Sequence, residues 1–549
     1  MTTGDPDAER FDVLIVGAGF AGLHLLHQAR AAGLRAKVLE KAGGVGGTWF
    51  WNRYPGARCD IESFDYQFSF APELVAEWRW SERYAAQPEI LRYLEFAATR
   101  LDLYRDIDFG VTVRSATFDE TTAIWTLATS TGERLLANYC VMAVGNLSAI
   151  KRPDVAGLED FGGQWFHTGN WPTQPVDLTD KRVAVIGTGS SGSQTITAIA
   201  PVVAQLYVLQ RTPNYSMPAQ NRPITDAENA EVLADWELRR HTCEWSDAGT
   251  PLPPATRRAI DVTDADRAQA YAEGWQRGGI SALSGAFTDM FTDERSNQFA
   301  QNFAREQIRA TVADPAVADL LCPSHHIGTK RTCVDTGYFQ TFNRPNVELV
   351  DVRQAPIVEV NESGIRTADR QIDVDVIIFA IGFDAITGAL DQIDIRGRND
   401  QSLTSKWADG PTTLLGLMTA GFPNLFFVTG PGSPSVLSNM VISIEQHVDW
   451  IIDCIDHLRA NDRACIEPEG AAELEWMAHI DDLVRPTLYL QAQSWYVGAN
   501  MEAKPRAFTI YTAGCGPYRQ ACDEIVAAGY RGFRLSNPND DAQNGATDE

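Results

Sequence analysis

Two glycine-rich turns, and the charged residues that close the strands beyond them, define the chemistry open to this chain. Gly17-Ala18-Gly19-Phe20-Ala21-Gly22 follows the apolar run Phe11 to Val16 and leads into a helical pattern from Leu23 to Ala31. Strand, tight turn and helix in that order make a pyrophosphate site. Gly17 permits the turn, Gly19 lets the backbone approach phosphates at the helix N-terminus, and Gly22 lets helix pack on strand. The next strand, Ala36 to Leu39, ends in Glu40, a carboxylate suited to the ribose hydroxyls of an adenosine without a 2′-phosphate. A second copy of the device follows Arg182 to Ile186: Gly187-Thr188-Gly189-Ser190-Ser191-Gly192, with Gln194 on the ensuing helix grouped among its contacts. Here the next strand, Gln205 to Leu209, ends in Gln210-Arg211-Thr212. An arginine can grip a 2′-phosphate that an acid would repel, so the second nucleotide reads as NADP rather than NAD. The alternative for Arg211 is an ordinary solvated residue.

The frame for two such sites is expected to be α/β, with two Rossmann-like dinucleotide-binding domains. At 549 residues the chain has room for about three domains. Hydrophobic residues at 44% and charged residues at 21% are an ordinary globular composition. Between Pro223 and Pro323 the texture turns helical, as in Asp226 to Arg240 and Asp264 to Trp275, which reads as an inserted helical subdomain, with Gly278 to Asp289 as a lid or loop. The expected boundaries are 1–148 and 376–536 for one nucleotide domain, 149–220 and 325–375 for the other, 221–324 for the insertion and 537–549 for a disordered tail.

Composition excludes several function classes. With 46 basic against 72 acidic residues, the formal charge of −26 disfavours nucleic acid and anionic membranes as partners. The most apolar long window, Thr412 to Gly430, is broken by Gly416, Gly421, Pro423 and Asn424, so it reads as buried strand and turn rather than a membrane span. The polar N-terminus carries no export pattern. Nine cysteines without a C-x-x-C pair argue against a disulfide framework or a zinc site and suit a reducing cytoplasm. A monomer or weak oligomer is expected.

Two dinucleotide sites in one chain imply electron traffic from a nicotinamide to a flavin, and the acceptor beyond the flavin is the open question. A disulfide reductase needs paired cysteines beside the flavin, and only Cys59 lies near the expected region. Adjacent His325 and His326 point different ways without a surrounding ligand cluster, so no metal is expected. His447, within the helical pattern Val441 to Leu458, reads as packed.

Between the two glycine loops stand Phe161, Gly163, His167, Trp171 and Pro172 in the spacing F-x-G-x-x-x-H-x-x-x-W-P. This stretch resembles the signature of Baeyer–Villiger monooxygenases. The resemblance extends to Gly46-Gly47-Thr48-Trp49 with Tyr54-Pro55-Gly56 and Asp60, and to Gly328-Thr329-Lys330-Arg331. It implies bound FAD, NADPH and dioxygen as co-substrates, and a ketone converted to an ester or lactone through a C4a-peroxyflavin and a tetrahedral (Criegee) intermediate. By the same resemblance Arg331 faces the flavin as the catalytic cation with Asp60 setting its position, and Lys330 touches the 2′-phosphate. Gly47, Thr48, Trp49 and Tyr66 border the flavin, and Trp495, in a mobile segment reaching Asn500 and Lys504, closes over the nicotinamide. Leu437, Ser438 and Met440 line the substrate pocket, and His167 couples the domains. Asn146 departs from the pattern, standing where many relatives carry glutamine beside the nicotinamide. The rival readings are an N- or S-oxygenating flavin monooxygenase and an NADPH-dependent flavin reductase without oxygen insertion.

Overall fold

In the computed structural model, which describes residues 9–499, 505–538 and 540, the apolar runs become the centres of two sheets. In the first, Arg10–Val16 lies between Ala36–Glu40 and Arg134–Met142, all parallel, and Ile107–Phe109 extends one edge. Val113–Asp119 and Ile124–Thr129 continue antiparallel from Arg134–Met142. Leu425–Phe427, distant in sequence, returns to pair with the same strand. Such strands read as continuous apolar runs because both faces are covered. Helices Phe20–Ala31 and Met440–Ala460 pack over one face through Leu23, Leu26, Ile444 and Ile451, while Phe118, Trp125 and Phe427 fill the other. Side chains such as Ile15 and Val141 are fully buried, each stabilising the fold by about 1.5–3 kcal/mol.

The second sheet is wholly parallel, in the order Val347–Asp351, Gln205–Gln210, Arg182–Ile186, Val376–Phe379, Gln164–His167. One expectation shifts here. The domain boundary drawn at 375/376 gives a buried central strand of this sheet to the other domain, since Val376–Phe379 pairs on both sides within this sheet; the chain leaves it only after Phe379. Gln164–His167 of the signature form the sheet's edge strand, with His167 opposite Phe379.

In the insertion the expected helix over Asp226 to Arg240 is two helices, Asp226–Ala234 and Trp236–Trp245. Asp235 between them leaves helical geometry at φ −112°, ψ 23°. Thr225 and Glu228 start the first with a reciprocal capping box. The Gly278 to Asp289 segment is a run of turns whose Leu283 and Phe287 are buried in the subdomain core with Tyr271 and Ala300. Asn500 and Lys504 of the mobile segment lie outside the described residues, as does most of the tail. No helix among the described residues is long and apolar enough to cross a membrane.

Candidate functional site

The two glycine turns have the same construction. Gly17 and Gly187 sit at φ 109° and 108°, a region that L side chains rarely adopt. A Cβ on Gly22 would stand 1.8 Å from the Gly17 carbonyl, and one on Gly192 would stand 2.2 Å from that of Gly187. The third glycine of each turn is therefore required by helix-on-strand contact. The middle glycines are different. A Cβ on Gly189 would meet nothing within 4 Å, and one on Gly19 would meet only Gly47, at 3.6 Å and beyond. Each middle position thus opens on space that a side chain would fill, as a pyrophosphate cradle requires.

The strand ends beyond the turns carry opposite charge. Glu40 is buried and accepts from the Ala18 N–H at 2.6 Å and the Ala42 N–H at 2.7 Å; each oxygen keeps a lone pair for a ribose hydroxyl. Arg211 and Thr212 are exposed. Burial, and then the charge of Arg211, lowers the pKa of Lys330, so the two cations lie close enough to feel one another. Among the described residues neither has a carboxylate partner. Two neighbouring cations without carboxylate partners are a fitting receptor for a phosphate dianion. Thr188 donates to the Thr212 carbonyl at 3.2 Å, and Ser190 to the Cys333 sulfur at 3.7 Å. Gln194 has both ends engaged, accepting from the Tyr54 hydroxyl at 2.8 Å and donating to the Arg58 carbonyl at 3.1 Å. It bridges the second glycine helix to the loop that carries Asp60.

On the flavin side, Gly46 and Gly47 swing the loop so that Thr48–Trp51 forms a short helix against the first turn. Buried Trp49 donates its indole N–H to the Tyr66 hydroxyl at 3.2 Å, and Phe20 meets Tyr66 edge-on with ring centroids 5.1 Å apart. Thr48 is exposed at the start of that helix.

Three parts of the chain converge on Arg331. Its Nε and Nη2 form a bidentate pair with Asp60 at 2.9 and 2.8 Å, its Nη1 donates to the Val436 carbonyl, and Asn214 donates to its main-chain carbonyl at 3.0 Å. Burial works against its charge, but attraction and hydrogen bonding from Asp60 outweigh that and raise its pKa above the ordinary arginine value. The guanidinium is therefore a fixed cation. Around it, Val436, Leu437, Met440, Ile386, Trp495 and Tyr496 form one apolar cluster. Burial carries the Tyr496 phenol up to about 12, with Arg331 and its hydrogen bond pulling the other way. Ile386 was not foreseen, and Val436 and Tyr496, though within the expected pocket loop and mobile segment, were given no contact to Arg331. A backbone carbonyl, or an apolar residue that packs, carries no signal of type or spacing. Ser438 is buried, donating to the Ser435 carbonyl at 2.9 Å and paired with Ser443 at 2.8 Å, so it shapes the loop from within.

In the signature, His167 is buried and accepts from the Gly169 N–H through Nδ1 at 2.9 Å. Burial lowers its pKa to about 4, which leaves it neutral. Thr168 beside it donates to Ser191 at 3.2 Å, joining the edge strand to the second glycine turn. Phe166 packs on Trp171 with centroids 5.1 Å apart, and Pro172 follows, half-buried. A Cβ on Gly163 would stand 2.4 Å from the Asp375 carbonyl and 2.6 Å from the ring of Phe161, so packing explains that glycine. His325 packs against Tyr215 with its pKa lowered to about 4 by burial and then Lys330. All nine cysteines are free.

Residues 11–235 match the pyridine nucleotide-disulphide oxidoreductase family model. Over 537 residues the chain is 41% identical to the acetone monooxygenase (methyl acetate-forming) of a Gordonia species, covering 96% of this chain and 99% of that protein. It is 39% identical over 523 residues to a Baeyer–Villiger monooxygenase of Pseudooceanicola batsensis, covering 95% of each. The solved structure of an oxidised steroid monooxygenase bound to NADP is 48% identical, with a TM-score of 0.93 over 96% of this chain and 100% of that one. With relatives of this identity and coverage, the chain is an NADP-dependent flavoprotein monooxygenase. Within that class, the chain belongs to the Baeyer–Villiger monooxygenase family.

Proposed function

We propose that this chain converts ketones to esters or lactones with FAD as its resident group and NADPH and dioxygen as co-substrates, and that Arg331 is its catalytic cation. The balance is ketone, NADPH, a proton and dioxygen going to ester, NADP and water. When bound, FAD takes the hydride of NADPH and then activates dioxygen, supplying the oxygen atom that enters beside the carbonyl. Gly17, Gly19, Gly22 and Glu40 hold the adenosine half of FAD, with Gly47, Thr48, Trp49 and Tyr66 beside the rest of it. Gly187 to Ser191 cradle the NADP pyrophosphate, with Gln194 behind them, and Arg211, Thr212 and Lys330 take the 2′-phosphate end.

The observation that carries the reading is the Arg331 clamp. Negative charge grows on a ketone oxygen as its carbon is attacked, and a guanidinium already held by Asp60 and Val436 stabilises it without reorganising, an effect of about 3–4 kcal/mol for comparable fixed donors. Leu437, Met440 and Trp495 exclude water from that space, with Ser438 bracing their loop, and His167 holds the signature strand against the NADP turn. The ketone is the substrate class suggested by the similar proteins, whose names span acetone to steroids. The unpaired cysteines suit a reducing cytoplasm, where we place the enzyme as a monomer or weak oligomer.

The test is Arg331→Ala given NADPH, oxygen and a panel of small, cyclic and steroid ketones, with ester measured by chromatography and flavin reduction by absorbance. The expected result is continued flavin reduction with ester formation down at least about 100-fold. Ester at wild-type rates removes Arg331 from the role. Wild-type enzyme that oxygenates amines or sulfides but none of the ketones replaces this reading with N- or S-oxygenation.

A further inference from the structure

Asn146 does something that neither the glycine turns nor the Arg331 clamp accounts for. It is buried on the segment that leaves Arg134–Met142, and it grips two separate pocket segments. Its side-chain amide donates to the Ser435 hydroxyl at 2.6 Å, and its backbone carbonyl accepts from the Ile386 N–H at 3.1 Å. Both partners sit in left-handed backbone, Ser435 at φ 44° and Ile386 at φ 68°. That is an unfavourable conformation for any residue with a Cβ, and an outlier for a β-branched one. Strain of this kind persists only where the surroundings over-determine it, and it gathers at functional sites.

The turn at Ser435 also has a consequence one residue on. It aims the Val436 carbonyl at the Arg331 guanidinium, while Ile386, Val436 and Leu437 join Trp495 in the apolar cluster. We propose that Asn146 is a positioning residue: by clasping Ser435 and Ile386 it holds the third anchor of Arg331 and the adjoining pocket wall in register. An amide expected beside the nicotinamide is here committed to the pocket loop. The side chain supplies the Ser435 half of the clasp alone, since Ile386 is held by the Asn146 main-chain carbonyl, so removing the amide frees Ser435 and leaves the Ile386 contact in place. The inference rests on the role given to Arg331 above.

The experiment compares Asn146→Ala, Asn146→Ala/Ser435→Gly and Asn146→Ala/Ser435→Ala as purified holoenzymes, reading ester formed, NADPH consumed and KM for NADPH. Glycine takes the left-handed turn unaided, whereas alanine does not. Asn146→Ala is expected to lower kcat for ester about tenfold and the ester-to-NADPH ratio with it, while KM for NADPH moves by less than about twofold. Adding Ser435→Gly recovers part of the lost ester and coupling, and adding Ser435→Ala recovers none. A merely structural Asn146 would lower KM-dependent and KM-independent rates together and show no glycine rescue. Wild-type coupling in Asn146→Ala, or equal behaviour of the two double variants, overturns the proposal. If Arg331→Ala abolishes ester while Asn146→Ala changes nothing, only this inference fails; if Arg331→Ala still makes ester, the reading beneath it fails first.

Discussion

The two glycine turns share a backbone and differ in how finished they are. At the first, Glu40 is buried with both oxygens already engaged by backbone N–H groups, and Gly47 closes on Gly19 from the opposite loop. At the second, Gly189 faces open space, Arg211 is exposed and Lys330 faces another cation. A preformed, enclosed site suits a resident group, and an open site with unspent charge suits one that comes and goes with each turnover. Substituting glycines tests this most severely. Gly22→Ala and Gly192→Ala force a Cβ into backbone carbonyls, overpacking that costs about 1–3 kcal/mol or more. The former is expected to yield protein without flavin and the latter flavoprotein that NADPH cannot reduce, both with lowered Tm. Gly189→Ala has room for its methyl, so Tm should hold while KM for NADPH rises. A Gly189→Ala protein as unstable as Gly192→Ala would remove the cradle assignment.

The charge contrast is tested next. Arg211→Ala is expected to raise KM for NADPH about 10- to 100-fold, the loss of one charge-assisted contact to phosphate, with kcat at saturation little changed. Lys330→Ala should raise it as well, since it removes the second cation of the pair. Neither change should alter KM for NADH, which lacks the phosphate. Equal loss with NADH and NADPH would place Arg211 elsewhere than at the 2′-phosphate. At the first site, Glu40→Gln replaces one acceptor with a donor opposite a buried N–H, an unsatisfied pair costing about 1–3 kcal/mol. It is expected to lower the flavin content of purified protein, and full flavin occupancy would show that Glu40 is dispensable.

The same contrast explains what could be read from the sequence. Glycines in the turns were legible because sterics leave no alternative at φ 109° or beside a carbonyl. Glu40 and Arg211 were legible because the strand end is a fixed place. The four strands that flank the turns were recovered to within a residue, Arg182–Ile186 at both ends. What escaped is made by contacts between distant segments. Asp60 and Arg331 stand 271 residues apart; no spacing links them, and only the family resemblance did. Nothing in Val436 marks its carbonyl as an anchor, and Gln194, grouped with the nucleotide contacts, has both ends tied to Tyr54 and Arg58. The signature's strand was missed because Gln164 to His167 is too short and mixed to show a period, and it is a strand only because Val376–Phe379 offers an edge.

Acid gives the mildest probe of the two halves. His167 and His325, on the NADP side, are held at about 4 by burial, and His447, between Thr429 and Tyr518 beside the first sheet, at about 3. All three lie below the ordinary histidine value of 6.5, so between those limits the unfolded chain binds protons that the folded chain refuses. Stability therefore rises with pH across the window. The contribution is whole above pH 6.5 and declines as pH falls, to completion near 4 for His167 and His325 and near 3 for His447. The histidine part of the Tm profile should be flat above about 6.5 and fall below it, opposed over the same range by Asp449, whose pKa burial raises to about 7. His167→Asn should flatten the upper part of that fall, where the NADP side contributes, and leave the lowest pH region to His447. A slope unchanged by His167→Asn would mean that His167 is charged in the folded protein, and so not the neutral acceptor that the Gly169 N–H requires.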